Sequence, residues 1–95
     1  MLALNEEDIL QLGDDVVIHA IPELGKYWVF NVENGDQYSL TESAYFVLDL
    51  CREPIKLEVI VIKMAEEYDT QYETIKIDCF EIVHQYVLEN ILQRR

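Results

Sequence analysis

The sequence predicts an α+β fold, a three-stranded antiparallel sheet followed by three helices, and three observations carry that prediction. Runs of β-branched and aromatic residues, separated by turn residues, fill the first half of the chain. From Thr41 onward apolar residues recur at three- and four-residue spacing instead. The two patterns follow one another without alternating, which argues against βαβ units and their parallel sheets.

The first strand is expected over residues 15–21, where Val16-Val17-Ile18-His19-Ala20-Ile21 ends at Pro22, which cannot continue a ladder. The turn Glu23-Leu24-Gly25-Lys26 leads to a second strand over 27–32, Tyr27-Trp28-Val29-Phe30-Asn31-Val32. Asn34-Gly35 tolerates the positive φ angles of a type I′ turn and marks a hairpin, with the third strand returning over 37–40. Along it Tyr38 and Leu40 share one face, Gln37 and Ser39 the other.

Thr41 is placed as an N-cap, and Glu42 just inside complements the positive end of the helix dipole. Ala44, Tyr45, Val47, Leu48 and Cys51 then give the first helix an apolar stripe, stopped before Pro54. Leu57, Ile60, Val61, Met64, Ala65 and Tyr68 mark a second helix over 57–68, against the β preference of Val59-Ile60-Val61-Ile62.

The longest helix is expected over about 72–92. At about 100° per residue, Ile75, Cys79, Ile82 and Tyr86 fall on one line, and Phe80, Val83, Val87 and Ile91 on a second beside it. That arc is wider than a surface helix of a small domain needs. Either the helix is buried on most sides, or part of its apolar surface awaits a partner, a second copy or a foreign peptide.

With 95 residues, of which 51% are hydrophobic, the chain suits one core and one domain, residues 1–95. Nineteen acidic and seven basic side chains give a net charge of -12, a field that repels phosphate backbones, and no basic stretch offsets it. Arg94-Arg95 reads as a frayed terminus. The N-terminus, Met1-Leu2-Ala3-Leu4-Asn5-Glu6-Glu7-Asp8, has neither a basic region nor a long apolar run, so no membrane association is expected and the location expected is cytoplasmic.

No catalytic constellation is legible, and the expectation is a protein that is not an enzyme. Gly13, Gly25 and Gly35 lie in separate turns and form no phosphate loop. His19 and His84 lack partners at metal-ligand spacing, so neither a metal nor another cofactor is expected. Cys79 and His84 are five apart on a helix and point away from each other; Cys51 and Cys79 read as buried thiols. The pairs Glu6-Glu7, Asp14-Asp15 and Glu66-Glu67 read as solvated surface. What remains is an edge: unpaired groups of the third strand are a template for an added strand, with the trough beside the last helix receiving its side chains. The alternative is an edge covered or dimerised.

The segment Gly35-Asp36-Gln37-Tyr38-Ser39-Leu40-Thr41-Glu42-Ser43-Ala44 resembles the strand Tyr-x-Leu-Asn and helix opening of the PqqD-like proteins, the RiPP recognition elements that hold the leader of a ribosomally made peptide for its modifying enzymes. Thr41 stands for the Asn, one N-capping residue for another. Ile77-Asp78-Cys79-Phe80-Glu81-Ile82-Val83 is similar to the opening of the family's last helix, while Glu53-Pro54 replaces its usual Asp-Gly turn. The resemblance spans about residues 14–92 and implies a winged helix-turn-helix-like fold with a peptide cleft between the third strand and the third helix. It implies strand contacts from Asp36, Gln37, Tyr38, Ser39 and Leu40, and helix contacts from Phe80, Val83, Tyr86 and Val87. The implied partners are a precursor (leader) peptide and a maturation enzyme, such as a radical-SAM protein or a lasso-peptide protease and cyclase pair. Two rivals stand beside it: a winged-helix nucleic-acid-binding domain, opposed by the charge, and a homodimer built on the surplus apolar stripe.

Overall fold

The computed structural model describes residues 3–95; Met1 and Leu2, where the N-terminal reading began, lie outside them. The architecture is α+β, with two three-stranded antiparallel sheets and three helices. The expected hairpin sheet is β2 (Val16–Ile21), β3 (Lys26–Asn31) and β4 (Gln37–Ser39), in that order, so β4 is an edge. The helices are α1 (Glu42–Leu50), α2 (Leu57–Glu67) and α3 (Tyr72–Leu88).

The second sheet was not anticipated. It consists of β1 (Ile9–Leu12) flanked by β5 (Ile55–Lys56) and β6 (Leu92–Arg94). The C-terminal arginines are therefore not frayed. Arg94 pairs with Leu10 in the ladder, its guanidinium donates to Asp8 Oδ2 at 3.0 Å, and the Arg95 amide donates to Ile9 O at 2.7 Å.

The last helix stops at Leu88 rather than near residue 92 because Asn90 turns left-handed, at φ 62°. The Ile91 amide reaches Tyr86 O at 2.9 Å and the Asn90 amide reaches Val87 O at 3.1 Å, the two bonds of a Schellman cap. This turn swings Ile91 and Leu92 into the core, where they are 1% and 2% exposed. Asp69, at φ 49°, ends α2 the same way, with the Thr70 amide on Ala65 O.

The hairpin between β3 and β4 also differs in detail. Gly35 alone takes a positive φ, 78°, so the connection is not a two-residue type I′ turn but a loop over residues 32–36. Asn side chains brace it: Asn31 Oδ1 accepts from the Glu33 amide at 2.9 Å and Asn34 Oδ1 from the Asp36 amide at 2.9 Å.

The core lies between the sheets and the helices. Ile18 and Val29, paired across β2 and β3, face Ala44, Val47 and Leu48 of α1 within one buried cluster, which also takes in Leu57, Ile60, Val61 and Met64 of α2 and Cys79, Val83 and Tyr86 of α3. Each large aliphatic side chain so buried contributes about 1.5–3 kcal/mol. That burial overrides the β preference of residues 59–62, since Ile60 and Val61 join Leu57 and Met64 only at helical spacing. Among the described residues no helix is long and apolar enough to cross a membrane.

Candidate functional site

An antiparallel ladder turns the backbone groups of alternate residues to opposite sides. On β4, the Leu40 amide donates to Tyr27 O and the Asp36 carbonyl accepts from the Asn31 amide, both at 2.8 Å, with Tyr38 paired to Val29 between them. Asp36, Tyr38 and Leu40 therefore spend their backbone groups on β3. Gln37 and Ser39 point theirs outward, where the sheet has no further strand. All three residues of β4 are exposed.

Gln37, Ser39 and Leu40 line one hollow with Lys26, Tyr27 and Trp28 of β3, and a separate groove of about 630 Å³ opens from Ser43 along α3. Its walls are Ser43 at the start of α1, Tyr68 at the end of α2, and one face of α3 carrying Ile75, Asp78, Ile82 and Gln85. Ile75 and Ile82 are half-buried and form an apolar floor, while Asp78, Glu81 and Gln85 stand exposed along the rim. The same helix face continues to Glu89. The Tyr38 phenol is pushed up first by the Asp36 carboxylate, then by burial and by Glu89, so the edge strand and the end of α3 share one electrostatic neighbourhood. The Tyr68 phenol is likewise raised, by burial first and by Glu42 next.

The first end of the groove is set by local chemistry. Thr41 Oγ1 accepts from the Ala44 amide at 3.1 Å, so the chain passes from open strand edge to helix within two residues. Tyr27 Oη donates to Glu42 Oε2 at 3.3 Å across the same corner.

The expected strand residues and the expected helix residues meet with different fates. Asp36, Gln37, Tyr38 and Ser39 lie together on the open edge, and Leu40, 9% exposed, points into the core. On α3, Val83 is fully buried and Tyr86 is 6% exposed, so both belong to the core and offer a ligand almost no surface. Val87 is half-buried against that core. Phe80 lies on the other flank of α3, beside Leu4, with the Lys76 ammonium 5.7 Å from its ring centroid. Part of the surplus apolar arc is thus covered by the chain itself, through Leu4 and the packing of α3 against β6. Periodicity did mark Ile75 and Ile82; it did not say which rim of the arc stays open.

Cys51 and Cys79 are buried, and burial pushes both thiols up to about 12, Cys79 adding to the effect on Cys51. Among the described residues no group of three or more His, Cys, Asp or Glu side chains is arranged to hold a metal ion.

A family model described as coenzyme PQQ synthesis protein D (PqqD) matches residues 26–92, from β3 to β6. No curated protein matches the sequence. Among solved structures, the chain is similar to TbiB1 in complex with the TbiA(beta) leader peptide, with a TM-score of 0.74 and 19% identity over 87% of this chain and 94% of that one. It is also similar to the PqqD truncation of Methylobacterium extorquens PqqCD, solved by NMR and described as a functional, stand-alone RiPP recognition element. There the TM-score is 0.79 at 20% identity, over 97% of this chain and 96% of that one. At such identities the likeness is one of fold.

Proposed function

The chain belongs to the PqqD family, and from that premise we propose that it recognises the leader segment of a ribosomally made precursor peptide and holds it for a modifying enzyme. The observation that carries this reading is the open edge of β4, which passes through Thr41 into α1, whose Ser43 walls an apolar-floored groove along α3. Main-chain bonds from Gln37 and Ser39 bind an extended peptide of any sequence, and the groove along α3 reads its side chains. The two solved relatives point the same way, one bound to a leader peptide and the other described as a recognition element.

The proposed contacts are Asp36, Gln37, Tyr38 and Ser39 on the strand side and Asp78, Ile82 and Gln85 on the helix side. The reading gives the chain no bond-making step of its own, since its only thiols are buried and held protonated. Nucleic acid is a poor partner for a chain of net charge -12.

Titration with candidate leader peptides, against the chain and its Ile82→Asp variant, tests the proposal. Binding weakened at least about tenfold, with the helical circular dichroism unchanged, is the expected result. Equal affinity of the two proteins would remove the groove from the reading.

A further inference from the structure

Where a chain this acidic keeps its few cations determines what its open groove attracts. The basic residues are Lys26, Arg52, Lys56, Lys63, Lys76, Arg94 and Arg95. Four of them are in ion pairs: Arg52 with Asp49, Lys56 with Glu7, Lys76 with Glu6 and Arg94 with Asp8. Three of those four converge from β5, α3 and β6 on the consecutive acids Glu6-Glu7-Asp8. That clasp lies on the flank of α3 that carries Phe80, away from the groove. None of the seven cations lines the groove.

The groove's own acids have no such compensation. Asp78 and Glu81 stand on its rim, Glu89 follows one face of α3 toward Tyr38, and Asp36 and Glu42 flank β4. Among the described residues none of these five is in an ion pair. The field is therefore negative along the groove and neutralised where the chain covers itself, while Lys26 sits beside Gln37 and Ser39 at the strand edge.

Spacing adds a second constraint. Successive residues on one face of α3, such as Asp78 and Ile82, are four apart, about 6 Å along the axis. Alternate side chains of an extended strand repeat at about 6.7 Å. A strand running along α3 thus offers about one groove-facing side chain per helical turn. Resting on the reading of the groove as a peptide site, we propose that its ligand is a basic-apolar peptide, with an aliphatic side chain set over Ile82 and Lys or Arg about two to four positions away, facing Asp78 and Glu89.

Selection of random peptides about twelve residues long from a display library tests this, run in parallel on the chain, on Ile82→Asp and on the double variant Asp78→Asn with Glu89→Gln. The expected result is enrichment of Lys or Arg near an aliphatic residue on the chain, lost on Ile82→Asp. On the double variant the aliphatic preference stays and the basic one fades. A selected peptide should bind the double variant about tenfold more weakly at low salt, the gap closing near about 1 M salt, where the screening length falls to about 3 Å. Enrichment that depends on Ile82 but shows no basic preference overturns the charge inference and leaves the groove reading standing. Enrichment identical on the chain and on Ile82→Asp, or none on either, overturns both.

Discussion

The Thr41 hydroxyl accepts the Ala44 amide at 3.1 Å, and through that one bond the exposed edge of β4 is joined to the first turn of α1. The bond satisfies one of the free amides at the helix start and holds Ser43 at the mouth of the groove. Thr41→Ala is expected to lower stability by about 1 kcal/mol, read from urea unfolding. Thr41→Asn, which can cap as well, should restore most of it.

The strand-edge geometry separates two neighbouring substitutions. Ser39→Pro removes an outward amide and leaves the bonds to β3 in place, whereas Tyr38→Pro removes a donor to Val29. Ser39→Pro should therefore weaken binding of the precursor peptide about three- to tenfold, the worth of one hydrogen bond, at nearly unchanged melting temperature. Tyr38→Pro should lower the melting temperature as well. Calorimetric titration beside thermal denaturation reads both.

Val83 and Ile82 are neighbours with opposite duties. A carboxylate at Val83, which is fully buried, has no partner and costs several kcal/mol, a large share of the stability of any small domain. Val83→Asp is expected to unfold the chain, and Ile82→Asp to leave the far-ultraviolet circular dichroism intact.

The Glu6 to Lys76 pair of the clasp should give stability a definite pH profile. The hydrogen bond from Lys76 holds the Glu6 carboxyl below its ordinary value, and the same bond holds the ammonium above its own. A lowered carboxyl stabilises above its unfolded pKa and loses that as pH falls through the folded value; a raised amine stabilises below its unfolded pKa and loses that as pH rises through the folded one. The difference in urea midpoint between the chain and Lys76→Met should be largest near about pH 7 and fall away as the pH drops through the lowered value of the Glu6 carboxyl. Because the pair is partly exposed, the difference should also shrink with salt. A difference constant across pH would mean that the charges contribute nothing.

Cys51 and Cys79 should be chemically silent in the native state. With both pushed to about 12, the thiolate fraction near about pH 8 is on the order of one in ten thousand, and neither sulfur is exposed. Mass spectrometry after brief iodoacetamide treatment should find no adduct on the folded chain and two on the chain unfolded in guanidinium.

Much of the fold was legible because it rests on short-range chemistry. The β-branched runs around Ile18 and Val29, the cap at Thr41 and the helical spacing of Leu57, Ile60, Val61 and Met64 each act within a few residues. The second sheet was not legible. Its strands are two to four residues long and join Leu10 to Ile55 and to Arg94, partners that no local pattern links.

The candidate site divides along the same line. The strand side follows from the hairpin signal: the third strand returns at 37–39 as an edge, although Tyr38, expected on the face of Leu40, is exposed with its neighbours. The helix side turns on which rim of α3 is covered. Helical periodicity records how much apolar surface a segment carries, and that much the order of residues in α3 decided alone. What lies against that surface depends on segments distant along the chain, here Leu4 beside Phe80 and β6 against α3, while Ile75 and Ile82 line the groove half-buried and Ile77 and Leu88 stay exposed. Such contacts exist only once the loops between them have closed, so the choice between the two rims belongs to the folded whole.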